Sequence, residues 1–233
     1  MRFAFVPFSL FVASQFLGGC TTILDIGLGP FTYDVSSDRV MIPAELQDPS
    51  TSTLRTIPCM TDMDCPSLGA GQPALHCNAS MACDPDPFVF ELATAPIDLG
   101  QNTTVQRFGS HVSLIEITQA QFNATNRGLS LPVGPTEIFW GPGTAADTTS
   151  PDVQHFGTIP VVDVPPGGTL MDQQIVLDGP GNQALSDHLL HVSRVIRLFA
   201  RPSVDLSPGS PLPSGDLGLD ITIQVHIEGQ LVQ

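Results

Sequence analysis

Residues 217–228 read LGLDITIQVHIE, and this stretch determines the fold class. Six apolar residues, at every odd position from Leu217 to Ile227, alternate with Gly218 and five polar residues. Successive side chains of a β-strand point to opposite faces of a sheet, so this period of two predicts a long strand with one buried face.

Shorter strand signals separated by turns fill the chain before this strand. The chain has 21 Gly and 22 Pro in 233 residues, and many of them stand between apolar runs. The candidate strands are 31–35, 40–42, 88–92, 111–118, 137–140, 158–164, 169–177 and 195–200. One helix is predicted from about Asn182, as its N-cap, to Val192. Strands at this spacing predict a mainly β protein, an antiparallel β-sandwich with one short helix.

The N-terminal residues 1–21 read MRFAFVPFSLFVASQFLGGCT. Arg2 precedes an apolar run that ends at Phe16, and small residues follow, which is the pattern of a secretory signal. The run is shorter than the roughly 20 residues that a membrane-spanning helix needs. We therefore expect an exported protein.

The end of this signal, Leu17-Gly-Gly-Cys20, resembles the lipobox of bacterial lipoproteins. The resemblance implies cleavage before Cys20, diacylation of the Cys20 sulfur with palmitate-type chains, and acylation of the new amino terminus. It also implies an envelope protein anchored by lipid, and Thr21 in place of Asp favours the outer membrane. Residues 20–30 are expected to form a short tether to the first strands at 31–58.

Four cysteines stand close together in a polar segment rich in Gly, Pro, Asp and Ser. Cys59, Cys65, Cys77 and Cys83 follow the spacing C-x5-C-x11-C-x5-C. An even, clustered set in an exported chain predicts two disulfides that staple an insert at 59–87, ahead of a β-sandwich body at 88–233. The spacing leaves all three pairings open. A zinc site is the alternative, although paired zinc ligands are usually two to four residues apart.

The layout of the whole chain resembles uncharacterised lipoproteins of myxobacteria-type bacteria, in which a lipobox, one strand, a cysteine-rich insert and a β-domain follow each other. The matching features are the lipobox, the insert at 59–83 and Pro213-Ser-Gly215 before the terminal strand. The segment from Cys59 to Pro66 also resembles small exported modules that read C…D-C-P…C…C. That resemblance implies the interleaved pairing of Cys59 with Cys77 and Cys65 with Cys83.

The charge of the chain excludes one class of partner. The 23 acidic residues outnumber the 8 Arg, there is no Lys, and the formal net charge is −15. Nucleic acids need a basic surface, so we expect no nucleic-acid partner. Anionic lipid repels such a surface as well, so we expect membrane attachment only through the lipid anchor.

Two sets of residues are candidate ligands for a divalent metal. His188 and His191 are three residues apart on the predicted helix, where two imidazoles on one face could bind zinc or copper. The pairs Asp62 with Asp64, and Asp84 with Asp86, could contribute oxygens to a calcium site. These six residues are the metal candidates, and no other cofactor is expected: His188, His191, Asp62, Asp64, Asp84 and Asp86.

The sequence contains no established catalytic pattern. It lacks the G-x-S-x-G elbow, and Ser186 is merely adjacent to Asp187 and His188, whereas catalytic triads assemble in space. We therefore expect a non-catalytic envelope lipoprotein with a structural role or a partner, either another envelope protein or a surface polymer. A divalent-metal-binding module and an envelope hydrolase are the alternatives.

Overall fold

The computed structural model describes residues 22–69, 72–106 and 111–230, and it is mainly β. The strands are β1 (Thr22–Ser36), β2 (Gln47–Asp48), β3 (Thr53–Leu54), β4 (Leu75–Cys77), β5 (Cys83–Pro85), β6 (Phe88–Val89), β7 (Leu92–Ala93), β8 (Ile97–Asp98), β9 (Val112–Arg127), β10 (Thr136–Pro142), β11 (Gln154–Ile159), β12 (Thr169–Gln174), β13 (Val176–Leu177), β14 (Val195–Arg201), β15 (Ser203–Val204) and β16 (Asp216–Gly229). The α-helices are α1 (Thr103–Gln106) and α2 (Gly179–His191), and 3-10 turns occupy Ser37–Arg39, Ala44–Leu46, Asp62–Asp64 and Leu99–Gln101.

Two antiparallel sheets form the sandwich. One has the strand order β1-β16-β9-β12, and the other has the order β13-β11-β10-β14-β7, with β8 also paired to β14. Side chains from both sheets and from α2 share one apolar core, in which Phe122, Phe156, Ile138 and Leu198 are at most 2% exposed. The predicted antiparallel β-sandwich is confirmed.

Strand β16 is the strand that the alternation predicts. Its odd-numbered residues from Leu217 to Ile227 are all at most 2% exposed, whereas Asp220, Thr222 and Gln224 are partly exposed on the other face. β16 lies in the centre of its sheet, paired with β1 on one side and β9 on the other. β16 therefore belongs to both of the long ladders, β1–β16 and β16–β9, and its apolar face packs in the core.

The expected tether is wrong from Thr22 onwards, because β1 already begins there. Thr22 pairs with Gly229, and the ladder continues to Ser36, which pairs with Asp216. Apolar Leu24, Ile26 and Leu28 alternate with Asp25 and Gly27, so this segment packs on the sheet instead of hanging free. Burial of that apolar face outweighs the turn tendency of its glycines.

A second lobe lies beyond the end of β1. We call residues 37–69 and 72–89 the cysteine lobe, because both disulfides lie in it. Its own apolar cluster includes Leu46, Leu54, Cys59, Cys83 and Phe88, together with Val204 and Leu206 from the segment after β14. The expectation that 31–58 belongs entirely to the sandwich is therefore wrong for 37–58, whose leucines pack against the cystines instead.

The pairing of the cysteines is the interleaved one. Cys59 is bonded to Cys77, and Cys65 is bonded to Cys83. Cys77 and Cys83 are also partners across the short β4–β5 ladder, so the two bridges leave neighbouring positions of one hairpin. Two disulfides in a cysteine-rich insert are thus confirmed.

Other expectations about local structure need correction. Residues 40–42 follow a 3-10 turn and form no strand, and β9 extends nine residues beyond the predicted 111–118, to Arg127. Helix α2 begins at Gly179, with Asp178 as its N-cap, so Asn182 is not the cap. The amide of Asn182 instead donates to the Ile117 carbonyl and ties the helix to β9. Among the described residues, no helix has the length and apolar character to span a bilayer.

Candidate functional site

Helix α2 packs against β9 and β11, and Gly181 determines how closely it approaches β11. A Cβ at Gly181 would overlap the carbonyl oxygen of His155 on β11, so only glycine fits there. The Gly181 carbonyl accepts a hydrogen bond of 3.0 Å from the indole Nε1 of Trp140 on β10. The close approach therefore buries Trp140 and satisfies its only polar atom.

A hollow of about 790 Å³ lies between α2 and the ends of β10 and β11. Both histidines of the predicted metal site line it, so the structure brings His188 and His191 to one place. The lining residues are Trp140, Pro142, Pro151, Asp152, Gln154, Ala184, Asp187, His188, His191 and Val192.

His188 lies at the inner wall of this hollow. Its ring centroid is 5.2 Å from that of Trp140, and its Nε2 is buried without a hydrogen-bond partner. Burial lowers the pKa of His188, while a hydrogen bond to the Val195 backbone and the charge of Asp152 oppose that change. Burial therefore favours the neutral form of this imidazole, and its Nε2 is left without a hydrogen-bond partner.

The two predicted histidine ligands line the hollow together, and metal binding by them stays a prediction from sequence. His191 is exposed, and no third histidine, cysteine or carboxylate joins the two imidazoles within 4.8 Å in the part of the chain that the structure describes. The group of three that meets this distance is Cys59, Cys65 and Cys83, whose sulfurs belong to disulfides. Disulfide sulfurs are not thiolates, so they are not zinc ligands.

The carboxylates of Asp62 and Asp64 organise a turn of the cysteine lobe. Asp62 accepts a hydrogen bond of 2.7 Å from the backbone N–H of Cys77. Asp64 accepts bonds of 2.8 Å from the backbone N–H groups of Met60 and Thr61, which lower the pKa of Asp64. Both side chains remain exposed, and one oxygen of each carboxylate accepts from backbone donors.

The second aspartate pair lies on the β4–β5 hairpin. Asp84 is opposite His76 in the ladder, and the Asp86 carboxylate is within hydrogen-bond distance, 3.0 Å, of His76 Nε2 at an exposed position. No three of the predicted calcium ligands come within 4.8 Å of each other among the residues described. The metal hypothesis for these four aspartates therefore stays a prediction from sequence.

The cysteine lobe carries a surface that the sequence analysis missed. Met60, Met63 and Met81 are 87%, 97% and 64% exposed, and we call them the methionine face. Their backbones adjoin, because Cys59 N donates to Met81 O and Asp64 binds the Met60 N–H. The signal in the sequence is Met60-Thr-Asp-Met63 between two cysteines, with Met81 two residues before a third.

The lipobox and Cys20 lie outside the described residues. Thr22, two residues later, is the first described residue and is paired with Gly229 at one end of the sandwich. The predicted lipidation site is therefore within two residues of a rigid strand.

No protein-family model and no curated protein matches this chain. Among solved structures, the chain is similar to desmodium yellow mottle tymovirus, with 10% identity, coverage of 97% of both chains and a TM-score of 0.32. The match to mud crab tombus-like virus has 10% identity, covers 100% of this chain and 92% of the other, and has a TM-score of 0.33. An empty head of turnip yellow mosaic virus matches with 11% identity, over 64% of this chain and 85% of the other, at a TM-score of 0.25. TM-scores this low carry no argument about this chain.

Proposed function

We propose that this protein is a lipid-anchored envelope protein whose sandwich holds the cysteine lobe away from an outer membrane for a non-catalytic, partner-binding role. The observation that carries the proposal is the path of β1. Its first residue, Thr22, follows Cys20 by two positions, and its last residue, Ser36, leads directly into the cysteine lobe.

The length of β1 supports a separation between the anchor and the lobe. Its 15 residues, at about 3.3 Å each and with one irregularity in register, span about 40 Å. The chain after β14 reaches the lobe from the same end of the sandwich as Ser36. β14 ends at Arg201, and the next strand, β15, pairs with β6 of the lobe. The sandwich is thus a rigid spacer with the lobe at the end opposite Thr22.

The charge of the protein supports attachment through lipid alone. A net charge of −15 with no Lys leaves no basic surface to hold the protein against anionic headgroups. Acyl chains supply the needed energy, at about 0.8 kcal/mol per buried methylene, and several chains make the anchor stable. The partner is then another envelope protein or a surface polymer that the exposed lobe can reach.

A Cys20→Ser variant tests the anchor. We expect this variant to move from the membrane fraction to the soluble fraction, whereas the matched variant Thr21→Ser stays in the membrane. Fractionation before and after a salt wash, followed by immunoblotting, measures the difference. A Cys20→Ser protein that remains on washed membranes would contradict the proposal.

The orientation has its own test, because the chain has no Lys and one introduced Lys can be labelled with an amine-reactive dye. Ser113, exposed at the start of β9, and Ser67, exposed in the cysteine lobe, are suitable positions. With a short-range acceptor dye in the lipid, we expect efficient energy transfer from Ser113→Lys and weak transfer from Ser67→Lys. Equal or reversed efficiencies would exclude the spacer arrangement.

A further inference from the structure

We infer that the methionine face docks a basic polypeptide segment of another envelope protein through apolar side chains such as Leu. This inference rests on the proposed function, since it names the chemistry of the partner that the presented lobe would bind. The inference depends on three features of the methionine face. Its three apolar side chains are exposed, disulfides and hydrogen bonds hold the backbone that carries them, and aspartates neighbour them in the chain.

The exposure of the three methionines has no explanation within the protein itself. Met63 is 97% exposed and Met60 is 87% exposed, so neither contributes its apolar surface to the core of the lobe. Clustered exposed apolar residues of this kind mark interaction sites, whereas isolated ones are ordinary. Flexible thioether side chains also adapt to differently shaped apolar partners.

Met81 supplies an independent argument from the backbone. Its φ is 57°, in the left-handed region that favours Gly or Asn and costs other residues energy. The turn is held by the Asn78 carboxamide, whose oxygen accepts from Ser80 N and Ala82 N. Neither burial nor local conformation therefore accounts for a methionine at this position.

The backbone beneath the three methionines is held firmly. Cys59, next to Met60, is bonded to Cys77, and Cys83, two residues after Met81, is bonded to Cys65. The Asp64 carboxylate accepts both the Met60 and the Thr61 N–H groups, which fixes the turn that carries Met63. A partner would therefore order only side chains, and this lowers the entropic cost of binding.

The charge around the face selects a basic partner. Asp62 and Asp64 flank Met63, and Asp84 and Asp86 follow Met81 in the β4–β5 hairpin, where Asp86 also contacts His76. The cysteine lobe as a whole has seven carboxylates and two Arg. A segment with Arg or Lys near its apolar anchors is therefore attracted to this surface, and acidic or nucleic-acid partners are repelled.

The test uses the full lipidated chain in nanodiscs of zwitterionic lipid and a fluorescent synthetic peptide that combines several Arg with several Leu. We expect the triple variant Met60→Gln, Met63→Gln, Met81→Gln to bind this peptide about tenfold more weakly or worse. Met171→Gln is the matched control, because Met171 is 57% exposed on β12 of the sandwich. Anisotropy measures affinity, and a peptide with Glu in place of Arg should show no binding above empty nanodiscs.

Further variants separate apolar docking from sulfur chemistry. Replacement of all three methionines by Leu keeps the apolar surface and should keep most of the affinity, whereas a soft metal ion held by thioethers would be lost. Affinity unchanged in the Gln variant, or abolished in the Leu variant while amide hydrogen exchange in the cysteine lobe matches that of the wild type, would overturn the inference. The anchor does not affect this comparison, because every variant retains Cys20.

Discussion

The sandwich and the cysteine lobe stabilise themselves in different ways within one chain. The sandwich has strands of up to 16 residues and buries a continuous core between two sheets. The strands of the cysteine lobe have two or three residues each, and its smaller core includes Cys59 and Cys83 themselves. The sandwich therefore depends on apolar burial, and the lobe depends on covalent links.

The difference follows from the size of each unit. A small unit buries too little apolar surface to offset the conformational entropy of its residues, so disulfides usually supply the remainder. This arrangement leaves the surface of the cysteine lobe free for other uses, since its stability does not require every apolar side chain to be buried. The exposed methionine face is the consequence that bears on function.

The two regions meet at Phe90, and a buried amide holds the loops at the neighbouring end of β9. Phe90 packs against both clusters, between β6 and β7. Asn126, 3% exposed at the end of β9, donates to the carbonyls of Leu129 and Val164 and accepts from Gly128 N and Leu129 N. All four hydrogen-bonding positions of this amide are filled, so it holds the loops at the end of the sandwich that faces the lobe.

The largest expected effect comes from the centre of the sandwich. Phe156 is fully buried between the sheets, and Phe156→Ala should destabilise the sandwich by about 3–5 kcal/mol through lost transfer energy and the cavity left behind. Trp140 is the only tryptophan and lies in this core, so its fluorescence in a urea titration measures the change.

The matched variant is Phe88→Ala, since Phe88 is 7% exposed and packs in the lobe cluster. We expect it to speed amide hydrogen exchange in the cysteine lobe while the midpoint of the Trp140 transition stays unchanged. An equal decrease in both variants of the urea midpoint measured by Trp140 fluorescence would mean that the two regions unfold together and that the comparison is wrong.

A disulfide variant tests the same comparison from the other side. The double variant Cys59→Ala, Cys77→Ala removes a bridge that closes a sequence separation of 18 residues, and such a bridge stabilises by about 3 kcal/mol. We expect amide exchange in residues 53–86 to accelerate by about 100-fold in consequence. The second bridge, Cys65 to Cys83, remains and limits the opening of the lobe.

The control for this variant is again the sandwich. Trp140 fluorescence should give the same urea midpoint with and without the bridge, because the sandwich core includes no cystine. A lowered midpoint would show that the lobe supports the sandwich across the Phe90 contact, contrary to the comparison.

The sequence predicts a strand of the sandwich correctly where burial of one face requires strict alternation of apolar and polar residues, as in β16. It misses the second half of β9, because the inward residues Ala120 and Ala124 are small and polar residues alternate with them. It also misses the start of β1, where Gly27 and Gly29-Pro30 look like a turn until the partner strand β16 is present. Both errors occur where a neighbouring strand, rather than the segment itself, provides the apolar contact.

The candidate site is less predictable than the fold. The resemblance to small exported modules implied the correct cystine pairing, and helical spacing placed His188 and His191 at one hollow. The burial of His188 against Trp140 depends on Gly181 approaching β11, which no local pattern encodes. The sequence places Met60 and Met63 between two cysteines, but their exposure is a property of the folded lobe and could not be predicted.

The smallest expected effect is a dependence of sandwich stability on pH. His226 on β16 is 2.8 Å from Asp25 on β1 and 3.4 Å from Glu228, and its side chain is 22% exposed. The hydrogen bond to Asp25 is the main reason that the pKa of His226 is raised, while burial opposes the shift. The folded state therefore binds the proton more tightly than the unfolded state, whose histidines have a pKa of about 6.5.

The sign of the effect follows from this difference. The contribution of protonated His226 is fully present below about pH 6.5 and is lost as the pH rises through the higher pKa of the folded state. We expect His226→Gln to destabilise the sandwich by about 0.5–1 kcal/mol at about pH 5.5, and the difference from wild type to vanish at about pH 9. Urea titrations followed by Trp140 fluorescence at both pH values measure the change.

Two further variants assign this effect to the pair and to the sandwich. Asp25→Asn should remove most of the same pH dependence, and the double variant should lose little more than either single variant, because both break one interaction.

His76→Gln removes the histidine of the comparable His76–Asp86 pair in the cysteine lobe, where both side chains are about half exposed. Because Trp140 reports only on the sandwich, His76→Gln should leave its midpoint unchanged at both pH values. A shift equal to that of His226→Gln would mean that electrostatic changes in the lobe reach the sandwich core, and the two regions could then no longer be treated as separate units of stability.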